Sequence, residues 1–144
     1  MRLTLGVRTT SGVTAEPSWE ILTGATPGRV RLIELGIFLA SAVTTTIGFG
    51  RPQAIGVTPT SPVDFLPEDG DDVIASGVVQ SALAWGTKPT IPANFIRRIS
   101  LPATVGTGVI WTFPMGIVIP VSSSLILWNL DTNAVCDCYA VVDI

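Results

Sequence analysis

"VIWTFPMGIVIPVSSSLILWNL", residues 109–130, decides how this chain folds. It is among the most apolar stretches of the sequence, and a membrane helix needs about 20 such residues in a row. Pro114, Gly116, Pro120 and the run Ser122-Ser123-Ser124 cut it into pieces of strand length. Val109, Trp111 and Phe113 alternate with Ile110 and Thr112, the run 117–120 is short and β-branched, and 125–130 stops at the turn residues Asp131-Thr132-Asn133. The pattern predicts a strand, a tight connection, a strand, a turn and a third strand. It does not predict a membrane span.

These strands are apolar on both faces, whereas a half-buried antiparallel strand shows one polar face. Either they are central strands with loops draped over them, or their outer face packs against another copy. Charged residues are only 13% of the chain, against about 25% in ordinary soluble domains, and that shortage favours the second option. The candidate interface residues are therefore Trp111, Phe113, Leu127 and Trp128, with Arg97 and Arg98 beside them. Arg97 and Arg98 adjoin on one strand and so point to opposite faces, and one of them is expected either to pair with a carboxylate such as Glu34 or Asp137 across a subunit contact or to form an ordinary surface pair.

Outward from this stretch the β pattern continues. Residues 2–10 alternate Leu3, Leu5 and Val7 with polar neighbours and read as a strand, or as part of an extended N-terminal arm over 1–16. Short strands follow at 18–22, 29–40 and 45–57, with a turn at 26–28 and a bend at the glycines of "GFGRP". Residues 58–75 form a long loop rich in proline and acid. Residues 76–86 alternate like a strand, although alanine and leucine also suit a short helix. Strands at 94–103 and 133–144 complete roughly eight to ten, with no long helix, repeat or linker. The expected fold is all-β: a single antiparallel β-sandwich domain over 1–144, with the jelly roll or a tumour-necrosis-factor-like sandwich first in line.

Little in the sequence advertises chemistry. There is no histidine, which removes the commonest general base and the commonest transition-metal ligand. Cys136 and Cys138 lie two apart, on one face of a strand, and are expected as reduced, buried thiols. A net charge of −3 and scattered Lys and Arg give no footprint for nucleic acid. The acids Asp64, Glu68, Asp69, Asp71 and Asp72 do not match the helix–loop–helix calcium spacing and read as a solvated loop. Glu20 and Glu34 are the acids of the early strands, the weak candidates for a glycosidase pair. Trp19, Trp85, Trp111 and Trp128 read as core or interface, with a sugar-stacking platform as the other use. No catalytic, cofactor or metal site is expected. The opening residues lack the apolar core of a secretory signal, which makes the cytoplasm the expected place of synthesis.

The segments "RLIELGIFLASAVTTTIGFGRPQAIGVTP", "ALAWGTKPTIPANFIRRISLPATVGTGVIWTFPMGIVIP" and "SLILWNLDTNAVCDCYAVVDI" together resemble small virion proteins of tailed bacteriophages. That resemblance covers most of residues 17–144. It implies a sandwich subunit, a trimer, decorating or cementing the capsid lattice, with the major capsid protein as partner and the virion surface as location. It transfers no binding residues by motif. The other function the sequence allows is a carbohydrate- or receptor-binding module of a head fibre or tail.

Overall fold

The computed structural model describes residues 1–10, 14–25, 29–54, 58–131 and 134–144. The turn expected at 26–28 and residues 132–133 of the turn after "LILWNL" lie outside them. Eleven strands are present among the described residues: β1 Arg2–Arg8, β2 Glu16–Thr23, β3 Val30–Leu39, β4 Thr45–Gly50, β5 Val63–Asp64, β6 Leu66–Pro67, β7 Val79–Ala82, β8 Arg97–Leu101, β9 Gly108–Ile119, β10 Ser124–Asn129 and β11 Cys136–Asp143.

Two antiparallel sheets face each other as a sandwich. Sheet I runs β6-β1-β11-β3-β9 and sheet II runs β5-β7-β2-β10-β4-β8. The ladders are nested: β1 pairs with β11, β2 with β10, β3 with β9 and β4 with β8. The first half of the chain is thus wound with the second half running back along it. Leu3, Leu35, Ile37, Ala140 and Val142 of sheet I meet Trp19, Ile21, Phe49, Leu125 and Leu127 of sheet II in the core. Cys136 and Cys138 face the same core as free, buried thiols, as their two-residue spacing on a strand requires.

Named side chains lie at both open sides of the sandwich. On one side, residues 63–67 cross from sheet II to sheet I, as β5 and then β6, and Phe65 between them is buried in the core. Burying a phenylalanine contributes about 1.5–3 kcal/mol, so the acidic loop is a structural closure. On the other side, the Arg97 guanidinium lies 5.3 Å above the Phe113 ring.

Several expectations change here. The 2–10 segment is built into sheet I between β6 and β11, where Leu3 is fully buried, so it does not extend away as an arm. Residues 79–82 are a strand, not a helix. Residues 108–119 are one edge strand, and "PMG" is not a connection. Phe113, Pro114, Met115 and Gly116 stand opposite Ile33 alone, a bulge made possible by Gly116 at φ +71°. The glycines of "GFGRP" make no bend; Gly48 leaves room for the Phe95 ring, which an added Cβ would approach to 2.7 Å.

Candidate interaction surface

The outer faces of the two sheets are treated in opposite ways. Every residue of β10 is buried, although Leu125, Leu127 and Asn129 point inward and Ile126 and Trp128 point outward. What covers them is the chain's own segment 83–96. Phe95 rests over Gly48, the ladder partner of Trp128. The segment is tied down where Ile96 N donates to Phe49 O at 2.7 Å and Gln53 N donates to Thr90 O at 3.0 Å. Beneath it Glu20 is fully buried, and its Oε1 accepts from Trp85 Nε1 at 3.0 Å.

This corrects the expected interface. Leu127 is a core residue, and Trp128, at 0% exposure, is roofed by the same chain. Phe113 is buried against Phe49, with ring centroids 6.1 Å apart, and Trp111 is half-buried against the same ring at 6.2 Å. Apolar residues on both faces of a strand cannot distinguish a partner's cover from a loop of the same chain. Arg97 and Arg98 are exposed at the sheet edge, and within the chain the two carboxylates proposed for them have other partners. Glu34 Oε1 accepts from the Tyr139 hydroxyl at 3.1 Å, and Asp137 is held by Arg8 through two bonds of 2.7 and 2.8 Å. Arg97 lies over the Phe113 ring instead.

Among the described residues, sheet I has no such roof. Its outward positions are Arg2, Thr4, Gly6 and Arg8 on β1; Asp137, Tyr139, Val141 and Asp143 on β11; Arg31, Glu34, Gly36 and Phe38 on β3; and Gly108, Ile110 and Thr112 on β9. All of them are exposed or half-buried except Gly36, which lies under the Tyr139 ring. Between the ends, Tyr139, Val141 and the 51%-exposed Ile110 supply apolar and aromatic surface with Glu34 and Thr112 among them, and Phe38 adds to it from the row of Arg8 and Asp137. The ends are charged: Arg8 and Asp137 at one, Arg2, Arg31 and Asp143 at the other. Three cationic and three anionic side chains make the face neutral while leaving both signs at both ends. Apolar and aromatic side chains flanked by charged ones match the anatomy of a protein–protein interface. The sequence reading missed these residues because glycine and charged positions interrupt the pattern on each strand; only the strand register brings them into one patch.

The remaining candidate groups separate. Glu20 and Glu34 lie on the outer faces of different sheets, so the sandwich stands between them and they cannot share a glycosidic bond, which needs two carboxyls within about 10 Å. Among the described residues, no three acidic or cysteine side chains are grouped to hold a metal ion. Asp64 accepts from Gly77 N at 2.9 Å and Gln80 Nε2 at 2.8 Å, which fixes the approach to β7. Trp19 and Trp128 are buried, so the four tryptophans form no common platform. Among the described residues, no helix is long and apolar enough to cross a membrane. Comparison with protein-family models, curated proteins and solved structures finds no match for this chain.

Proposed function

We propose that this chain is a non-catalytic structural protein of a bacteriophage particle, a jelly-roll subunit that decorates or cements the outside of the capsid as a trimer. The strand order supports the jelly-roll reading: β1-β11-β3-β9 opposite β2-β10-β4-β8, with every ladder joining a strand of the first half to one of the second. In that reading β5, β6 and β7 are an insertion between the fourth and fifth strands of an eight-strand roll. Viral coat subunits are among the proteins built this way.

One observation carries the functional reading, which is the difference between the two outer faces. The chain uses its own segment 83–96 to roof sheet II and leaves an apolar, charge-balanced face on sheet I. A protein that works by attachment needs buried area and shape rather than reactive groups. The roof also changes where copies would meet: β9 keeps its outward Ile110 available, but β10 has nothing left to offer.

Native mass spectrometry of the purified chain tests the oligomer. A trimer at low concentration is expected, together with antibody labelling of the chain on intact particles. A monomer at every concentration sinks the trimer, and particles lacking the chain sink the decoration role.

A further inference from the structure

β7 leaves β2 at the pair Glu20–Ala82, and the chain beyond it peels away to pair with the 58–60 segment, where Thr60 N donates to Ala84 O at 2.8 Å. The parting opens a gap of about 220 Å³ at the start of β2. Pro17, Leu83, Ala84 and Trp85 give it an apolar side. Thr10 supplies a hydroxyl, and Glu16 and Lys88 line it as an ion pair with Nζ and Oε1 2.7 Å apart.

Trp85 is not loosely placed there. Its indole N–H is bonded to a carboxylate at 0% exposure, and the other oxygen, Glu20 Oε2, has no hydrogen-bond partner among the described residues. A buried acid with an unsatisfied oxygen is costly, and folding alone does not require it at this position: Ala82, Ile126 and Gly50, in the same row of the sheet, are apolar. What Glu20 does is fix the indole in the wall of the gap.

We infer that this gap is a binding subsite for one neutral sugar ring, with Trp85 as its apolar wall, Thr10, Glu16 and Lys88 as its hydrogen-bonding side, and Glu20 as a positioning residue acting through Trp85. The volume lies below the about 300–1,000 Å³ of pockets that hold drug-sized ligands, so the occupant is a single ring. Its polar side carries both donors and acceptors, and its two charges neutralise each other. A charged ligand has to break the Lys88–Glu16 pair, whereas a neutral polyol bonds to both partners as they stand. A pyranose, with apolar C–H faces and a rim of hydroxyls, matches both walls. This site is separate from the outer face of sheet I and does not depend on how that face is used.

The test is indole N–H NMR of the whole chain, whose four tryptophans give one resonance each. Glucose, galactose, mannose and N-acetylglucosamine are titrated separately. At least one is expected to move the Trp85 resonance saturably while the buried Trp19 and Trp128 stay still. Lys88→Ala, at an exposed position, is expected to weaken that sugar about tenfold, the loss of one hydrogen bond to a charged group. Glu20→Leu, which removes the acceptor for Trp85, is expected to weaken binding, and Glu20→Gln, which keeps it, to restore it; equal binding in the two overturns the positioning role. No saturable shift with any of the four sugars overturns the inference, and so does a shift that Lys88→Ala leaves unchanged.

Discussion

Asp64 shows how much a single side chain does at the closed edge. The Gly77 N–H, then Ser76, then Gln80 donate to its carboxyl and hold it below the usual aspartate range. A depressed folded value contributes stability that is present above the unfolded pKa, about 3.9, and is lost as pH falls through the folded one. Asp64→Asn is therefore expected to lower Tm at neutral pH, with the gap to the wild type closing below about pH 4. Thermal melts of the two proteins from pH 7 to strongly acid buffer decide this, and a gap that widens on acidification refutes it. The thiols behave in the opposite sense. Burial, followed by the charge of Asp137, pushes Cys136 up to about 11, and burial also raises Cys138, which lies beside Cys136 and Asp137. Both are neutral near pH 8 and shielded by the sandwich. Thiolate is the reactive form, so a thiol reagent is expected to label the native protein only as fast as it opens and to take up two equivalents once denatured. Rapid labelling without denaturant contradicts this packing.

At the scale of elements, segment 83–96 and strand β1 are the two pieces whose roles were least legible in the sequence. Alternation placed β3, β10 and β11 well, because their core positions recur every second residue. It also marked β10 as apolar on both faces. The sequence could not say that the second face is covered by a segment some 30 residues earlier in the chain, since Phe95 and Gly48 carry no local signal of their meeting. Gly48→Val is expected to push Phe95 out, at a cost of about 1–3 kcal/mol for overpacking. The readout is a lower denaturation midpoint together with binding of an apolar dye to the uncovered Ile126 and Trp128. An unchanged midpoint means that the segment does not hold the roof. For β1, alternation was compatible with either a strand or an arm, and only the ladder to β11 distinguishes them. Removing residues 1–8 takes away the fully buried Leu3 and exposes the edge of β11. The expected loss exceeds the about 2–5 kcal/mol of a buried Leu→Ala change, enough to unfold most domains of this size. A truncated chain that still melts cooperatively near the wild-type temperature shows β1 to be dispensable.

For the whole molecule, the asymmetry between its faces makes a prediction that neither sheet makes alone. The shortage of charge is a property of the entire chain, and by itself it locates no interface. The roof over sheet II removes one face from consideration, so self-association has to use sheet I or the edges. Ile110 stands exposed on the open face, on its edge strand β9, and Thr90 lies exposed on the segment that forms the roof. Ile110→Lys and Thr90→Lys add the same charge to the same fold on opposite sides. Neither disturbs the core, because neither side chain is buried, and surface changes of this kind usually stay within about 0.5 kcal/mol in stability. Assembly is expected to respond differently. A lysine at 110 places an unpaired charge in an apolar contact, a cost of several kcal/mol if it is desolvated, which is expected to turn the proposed trimer into monomer at working concentrations. A lysine at 90 leaves the mass unchanged. Native mass spectrometry of the two variants with matched melting curves reads this directly. If Thr90→Lys dissociates the assembly and Ile110→Lys does not, then copies meet across the roofed face, and the 83–96 segment is itself the contact.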